Sequence, residues 1–491
     1  MGDFFKQEPR RVGTNPARAK ARPHAAEDEA AIEFDTVELD SSGAGSFPLS
    51  TAKLNDAVAA TLAVMLMVAP MSLGANRPLA WLVFAIAISL LAIVQVAGVA
   101  IQEPGRPMRS RAHSGIIAAG FAVILFSALQ LLPAGGWSIG GVSDELLPNR
   151  LTVSTGATSL GLVRLASYAL LFVLALEIGA NAQRAARFMK WLFWGVFLHA
   201  VWALVALAFL DDSLLFSPKT AYEGFATGTF VNRNSFATFL SMGLMIGFSR
   251  TLGILFGPAP RSTRPKSWSN ILSARVLSHA ALACVILAAV AATGSRLGAF
   301  SALAGTLFLL SLIMLKSRQL SRIRILGTLA VAALIAIMAL LLAGPLLAER
   351  MVLLENNALT RLELFKQSLA MIAERPLLGF GLDGYSVAFE MFHQPGLDTS
   401  VIWDRPHNTV LTLWSELGVV AGSIPVVLTG WCFCKMLAQV RERETTYVPA
   451  AAAAAAVVAA SLHSMGDFSL EVAANTYLFI AIVAIGISKR V

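Results

Sequence analysis

The sequence predicts an all-α polytopic membrane protein with about twelve transmembrane helices. Two observations carry that prediction. Apolar runs long enough to cross a bilayer recur from about Ala57 to Ile487, and the basic residues gather on alternate connecting segments. A hydrocarbon core of about 30 Å needs roughly 20 mostly apolar residues as a helix. Spans are expected at 57–75, 78–101, 115–133, 159–180, 188–210, 234–256, 276–293, 297–315, 325–344, 407–434, 447–463 and 473–488.

Charge sets the expected orientation. The segments after the even-numbered spans, with the C-terminal end, carry twenty Lys and Arg, from Arg106 to Arg490. The opposite segments carry ten: Arg77, Arg150, Lys219, Arg233, Arg296, Arg350, Arg361, Lys366, Arg375 and Arg405. The richer side faces the cytoplasm. Both termini are then cytoplasmic, and the second set faces outward.

Composition narrows the class. Of 491 residues 56% are apolar, and the net charge is +8. Much of that charge lies in short loops expected to face anionic lipid, so it is no nucleic-acid signal. Residues 1–53 hold seven basic and nine acidic residues with little apolar periodicity; they predict a disordered cytoplasmic tail ahead of a transmembrane domain, 54–491. No apolar stretch near Met1 reads as a signal peptide, so the first span is expected to act as an uncleaved anchor. Cys284, Cys432 and Cys434 lack the companions of a zinc site and read as packing or lipid-facing residues. The run Ala450–Ala456 points to close helix packing. Residues 345–406 form a long outer loop within the domain, and helical punctuation marks it as folded.

Polar clusters concentrate on the outward segments. Asn232, Arg233 and Asn234 precede span six, where the asparagines serve equally as helix caps or substrate contacts. Arg296 sits between spans seven and eight with almost no loop. A cation there is costly unless paired or solvated, and its guanidinium fork matches a diphosphate; an interfacial arginine snorkelling to head groups is the alternative. Thr360-Arg361-Leu362-Glu363 has the form of a capping box, so a helix is expected to start there with Arg361 in its first turn. Leu362, Phe365, Leu369 and Ile372 recur as its apolar face, suited to lying on the membrane or covering the bundle. Pro406 suits a first turn and places His407 at the N-terminus of span ten, beside Arg405 and Asn408. A neutral imidazole there has the character of a general base. Glu416 is out of phase with His407 on a straight helix. His463 and Asp467 either meet at helical spacing or border a short loop. The sequence has no Asp-x-Asp and no Walker-type loop, so nucleotide-driven chemistry has no support.

In this order, the clusters resemble the O-antigen ligase and surface-polysaccharide polymerase superfamily. The matching pieces are Gly228–Asn234, Ser295-Arg296, Arg361 with Glu374–Gly381, His407-Asn408 through Glu416-Leu417-Gly418, and Asp467-Phe468. The resemblance implies a GT-C-like fold in the bacterial inner membrane, with the active site facing the periplasm and no metal or other cofactor. It implies a polyprenyl-diphosphate-linked glycan as donor, with a lipid-linked repeat unit or lipid A–core as acceptor. Membrane lipid and polysaccharide assembly machinery complete the expected partners. Arg296 and Arg361 would stabilise the leaving diphosphate and His407 would activate the acceptor, with Asn232, Arg233, Asn234, Arg405, Asn408 and Asp467 around the substrates. Polymerase is slightly favoured over ligase. A lipid-linked glycan transporter or flippase, or a protein O-oligosaccharyltransferase, is the alternative. Arg164, inside span four, is the one residue that suits a transporter, or it pairs structurally with Glu177.

Overall fold

The computed structural model describes residues 51–133, 149–215, 217–256, 274–316, 347–443 and 446–488. The chain divides into two units, residues 1–47 and 48–491, and all described residues lie in the second. Among them the secondary structure is helical, without strands. The helices are α1 (Thr51–Val68), α2 (Pro78–Gln102), α3 (Ser114–Leu129), α4 (Thr155–Gly179), α5 (Ala182–Phe209), α6 (Arg233–Phe256) and α7 (Ala274–Ala292). They continue with α8 (Arg296–Lys316), α9 (Leu347–Glu374), α10 (Tyr385–Phe389), α11 (Thr409–Glu442), α12 (Val448–Ser464) and α13 (Ala473–Ile487). Seven of these, α1 to α5 with α8 and α11, are long and apolar enough to cross a membrane.

A described helix stands at eleven of the twelve expected positions; the ninth, 325–344, lies outside the described residues. So do the basic segment 257–273 and most of the expected tail, although α1 already begins at Thr51. Local signals set several starts. Pro78 opens α2. The Ser154 hydroxyl accepts from Ala157 N at α4, and Asn181 Oδ1 accepts from Arg184 N at α5.

Helix α12 is the centre, packed against α6, α8, α11 and α13. Every residue of its alanine run, Ala450–Ala456, is fully buried. Small residues face it. A Cβ placed on Gly305 of α8 would stand 3.1 Å from Ala455 O, and one on Gly486 of α13 would stand 2.4 Å from Ala453 Cβ. Helices approach this closely where side chains are small, and dispersion between backbones then drives the packing. Cys432 is buried in the same core, whereas Cys284 and Cys434 are exposed, and all three are free thiols.

One expectation about the long loop changes. Helix α9 spans Leu347–Glu374, so Thr360 and Arg361 lie in its interior and not at its start. The residues from Leu347 to Leu359 contain neither Gly nor Pro, so nothing stops the helix upstream of the capping-box pattern. Of the apolar set read from the sequence, Ile372 is buried in the protein. Leu364, Gln367, Ser368, Met371 and Ile372 are buried, while Leu362 and Leu369 are exposed. The buried set packs on Phe380, Tyr385, Ala388, Phe389 and Leu397, a small core of the loop itself.

The chain after α9 turns back into the bundle. Phe380 N donates to Ser415 O at 2.8 Å, Gly381 N to Glu416 O at 2.9 Å, and Val419 N to Pro376 O at 2.7 Å. These bonds replace helical ones where α11 is broken at Gly418, which has φ +73°. Gln130 secures the junction: its Nε2 donates to Leu378 O and Glu416 O, both at 2.8 Å, and its Oε1 accepts from Leu382 N at 3.0 Å. Arg164 forms an ion pair with Asp383 of this segment. The suggested partner Glu177 instead accepts from Ser110 N at 2.8 Å.

Candidate functional site

The site is assembled from helix ends. Asn232 is a cap: its Oδ1 accepts from Asn234 N at 2.7 Å and Ser235 N at 3.4 Å, closing the start of α6. That frees the Asn234 side chain, whose Nδ2 donates to Asp467 Oδ2 at 2.9 Å. Arg233, between them, lies over the Phe225 ring at 4.2 Å and near Tyr222 at 5.6 Å.

The start of α11 differs from expectation in one respect. Asn408 is the N-cap, accepting from Val410 N at 2.9 Å and Leu411 N at 3.2 Å, so the helix begins at Thr409. His407 therefore precedes the cap instead of occupying the first turn. Asparagine caps well and histidine does not, which moves the boundary past Pro406. His407 has φ +54°, a conformation uncommon outside glycine.

The turn between α12 and α13 meets this start. Asn408 Nδ2 donates to Met465 O at 2.9 Å. Arg405 Nη1 bonds Glu471 Oε2 at 2.8 Å, and Thr412 Oγ1 donates to Glu471 Oε1 at 2.7 Å. The Phe468 ring touches both neighbours of Pro406: the His407 ring meets it edge-on at 4.9 Å, and the Arg405 guanidinium lies 5.5 Å from its centre. His407 Nδ1 stands 3.9 Å from Asp467 Oδ2.

Asp467 is the hub. It is fully buried and accepts from Asn234 and, at 2.5 Å, from the Ser469 hydroxyl. Burial works against its charge, but His407, His463 and Ser469 outweigh burial and hold the carboxyl below its usual range. Burial prevails at Glu471, whose carboxyl is pushed above the usual range despite Arg405. Burial also disfavours the Arg405 charge, yet the Glu471 carboxylate more than compensates and holds the guanidinium above its ordinary value.

Arg361 and the start of α8 reach this junction. A Cβ on Gly466 would stand 2.9 Å from Leu297 Cδ2 and 3.9 Å from Arg361 Nη1. Leu297 in the first turn of α8 and Arg361 in the interior of α9 thus both flank Gly466. Ser295 caps α8, accepting from Gly298 N at 3.2 Å, and so sets Arg296 at the helix N-terminus. Arg361 is close enough for its charge to act on His463 and Tyr222. Arg296 and Arg361 are half-buried, and among the described residues neither has an ion-pair partner.

The structure thus gathers Asn234, Arg361, His407, Asn408 and Asp467 with Arg405 and the start of α8. Asn232 is a cap, and Arg233 faces aromatic rings. Glu471 had no signal in the sequence, since its role depends on a partner 66 residues away. His463 was legible as a neighbour of Asp467, but not its hydrogen bond with the Thr238 hydroxyl on α6. Glu416 lies apart from His407; its carbonyl seats Gly381 and Gln130. Among the described residues no group of His, Cys, Asp and Glu is placed to hold a metal ion.

No curated protein matches the chain. Residues 280–426, just under a third of the chain, match the family described as O-antigen ligase. The matched segment contains Arg296, Arg361, Arg405, His407 and Asn408, together with the re-entrant segment and the break in α11. Over residues 280–426 the chain is thus similar to the O-antigen ligase family.

Proposed function

We propose that the protein transfers a polyprenyl-diphosphate-linked glycan to a sugar hydroxyl during surface polysaccharide assembly, on the periplasmic face of the inner membrane. What supports this reading is that His407 faces Asp467 and Arg361 approaches Gly466 next to it, with Leu297, the neighbour of Arg296, at the same glycine. Glycosyl transfer from a lipid diphosphate needs a base and cations of this kind. His407 takes the proton of the acceptor hydroxyl as its oxygen bonds the anomeric carbon. The bond from that carbon to the diphosphate breaks, and the polyprenyl diphosphate leaves with the electron pair. Arg296 and Arg361 stabilise the charge that develops on it, as preorganised donors do in a dry site. The N-terminus of α8 adds its own positive end beside Arg296. No metal enters this scheme.

The acceptor is a lipid-linked repeat unit for a polymerase or lipid A–core for a ligase. The polymerase is our slight preference. The experiment is reconstitution of the purified protein with lipid-linked glycan extracted from its own cells. Transfer releases polyprenyl diphosphate and lengthens or relocates the glycan. Glycan crossing the bilayer still attached to its lipid, with no diphosphate released, would instead identify a transporter.

A further inference from the structure

We infer that Arg405 and Glu471 form a brace that positions His407, and that Arg405 does not itself hold the donor diphosphate. The inference rests on the glycosyl-transfer reading for its consequence, though not for its geometry.

Arg405 was a substrate contact on sequence pattern, as one of three cations near the site. The structure separates it from the other two. Its Nη1 is 2.8 Å from Glu471 Oε2, and the two side chains are only 22% and 11% exposed. The second Glu471 oxygen is taken by Thr412 of the first turn of α11. One carboxylate therefore grips the chain on both sides of His407, two residues before it and five after. Phe468 fills the space within this grip, touching the guanidinium and the imidazole. Asn408 adds a further tie to Met465.

The backbone explains why a brace is needed. His407 is held at φ +54°. A non-glycine residue keeps such a conformation only where its surroundings over-determine it. With the ring packed on Phe468 and facing Asp467, a small shift of the turn moves the imidazole away from the acceptor. Misplacement by about 1 Å is enough to cost roughly 100-fold in rate. Arg296 and Arg361, without ion-pair partners among the described residues, are the cations left for a diphosphate.

The test uses full-length protein carrying Arg405→Lys, Glu471→Gln, or the reversed pair Arg405→Glu with Glu471→Arg, each checked for monodispersity by gel filtration. Three quantities are measured: affinity for undecaprenyl diphosphate, the rate at which diethyl pyrocarbonate modifies His407 (read by peptide mass spectrometry), and transfer from lipid-linked glycan of the protein's own cells. The single variants should bind undecaprenyl diphosphate within about twofold of wild type, alter His407 modification severalfold, and lose about 10–100-fold in transfer. The reversed pair should recover part of that loss. A fall in diphosphate affinity in Arg405→Lys but not in Glu471→Gln would overturn the brace, and so would unchanged His407 modification in both. If wild type transfers nothing, altered modification in the variants still upholds the brace, and only the glycosyl-transfer reading falls.

Discussion

His407 Nδ1 faces Asp467 Oδ2 at 3.9 Å, across a junction between the start of α11 and the turn that follows α12. The separation is longer than a hydrogen bond. Asp467 keeps its charge although it is fully buried, because its neighbours hold its carboxyl below the usual range against the effect of burial. A fixed carboxylate facing one ring nitrogen is a suitable neighbour for the proposed general base.

Removal of His407 should therefore abolish chemistry and spare the fold. Its side chain is 26% exposed and stands outside the helical bundle proper. His407→Ala should insert normally, lose about 100–10,000-fold in transfer, and let lipid-linked donor accumulate in cells. His407→Gln keeps a hydrogen bond but takes no proton, and should be equally poor. Wild-type turnover by the glutamine variant would reduce His407 to a positioning role.

Asp467 gives a pH dependence of defined sign. A carboxyl with a native pKa below its unfolded value of about 3.9 contributes stability above that value. The contribution is lost as pH falls through the lower native value. Thermal unfolding in detergent should lose more stability between about pH 5 and pH 3 in wild type than in Asp467→Asn. Equal losses would mean that Asp467 is not held ionised by its neighbours.

Arg296 and Arg361 should each matter to rate more than to folding. Arg296→Ala and Arg361→Ala should lower transfer by about 100–1000-fold, the usual cost of one transition-state donor. Lysine keeps the charge and loses the two-pronged geometry, so Arg296→Lys should recover only part of the rate. Near-normal product from both alanine variants would leave the leaving-group role without support.

The helices were legible because apolar runs in a membrane protein leave little freedom, and eleven of the expected positions hold one. The candidate residues were legible as residue types at helix ends. Their relations were not. The sequence reads Thr360–Glu363 as a helix start, but no breaker precedes it and α9 runs through. It places His407 inside a helix, while Asn408 takes the cap. The motif Glu374–Gly381 is readable as a sequence pattern, but its peptide groups bond residues 415–419 and Gln130, the last across 248 residues of chain. Local pattern carries no information about such pairings.

The reaction should proceed without a divalent metal, since two arginines take the place of a cation on the diphosphate. Transfer by purified protein should survive an excess of EDTA. Complete loss that added Mg²⁺ or Mn²⁺ restores would refute the proposed leaving-group chemistry.

The re-entrant segment can be tested by comparing two glycines. Gly379 and Gly105 both have positive φ, +65° and +84°. Alanine at either position meets the same conformational penalty, about 1–2 kcal/mol. Their surroundings differ. A Cβ on Gly379 would stand 2.4 Å from Glu416 O and 2.5 Å from both Glu416 C and Gly418 N, whereas one on Gly105 meets nothing within 4 Å. The obstructing atoms are backbone and belong to the break in α11, so relief requires moving that break and with it the start of the helix that carries Asn408. Gly105→Ala should yield monodisperse protein with a Tm a few degrees lower. Gly379→Ala should fall much further or fail to yield folded protein. Equal Tm values for the two variants would show that the segment does not seat against residues 416–418.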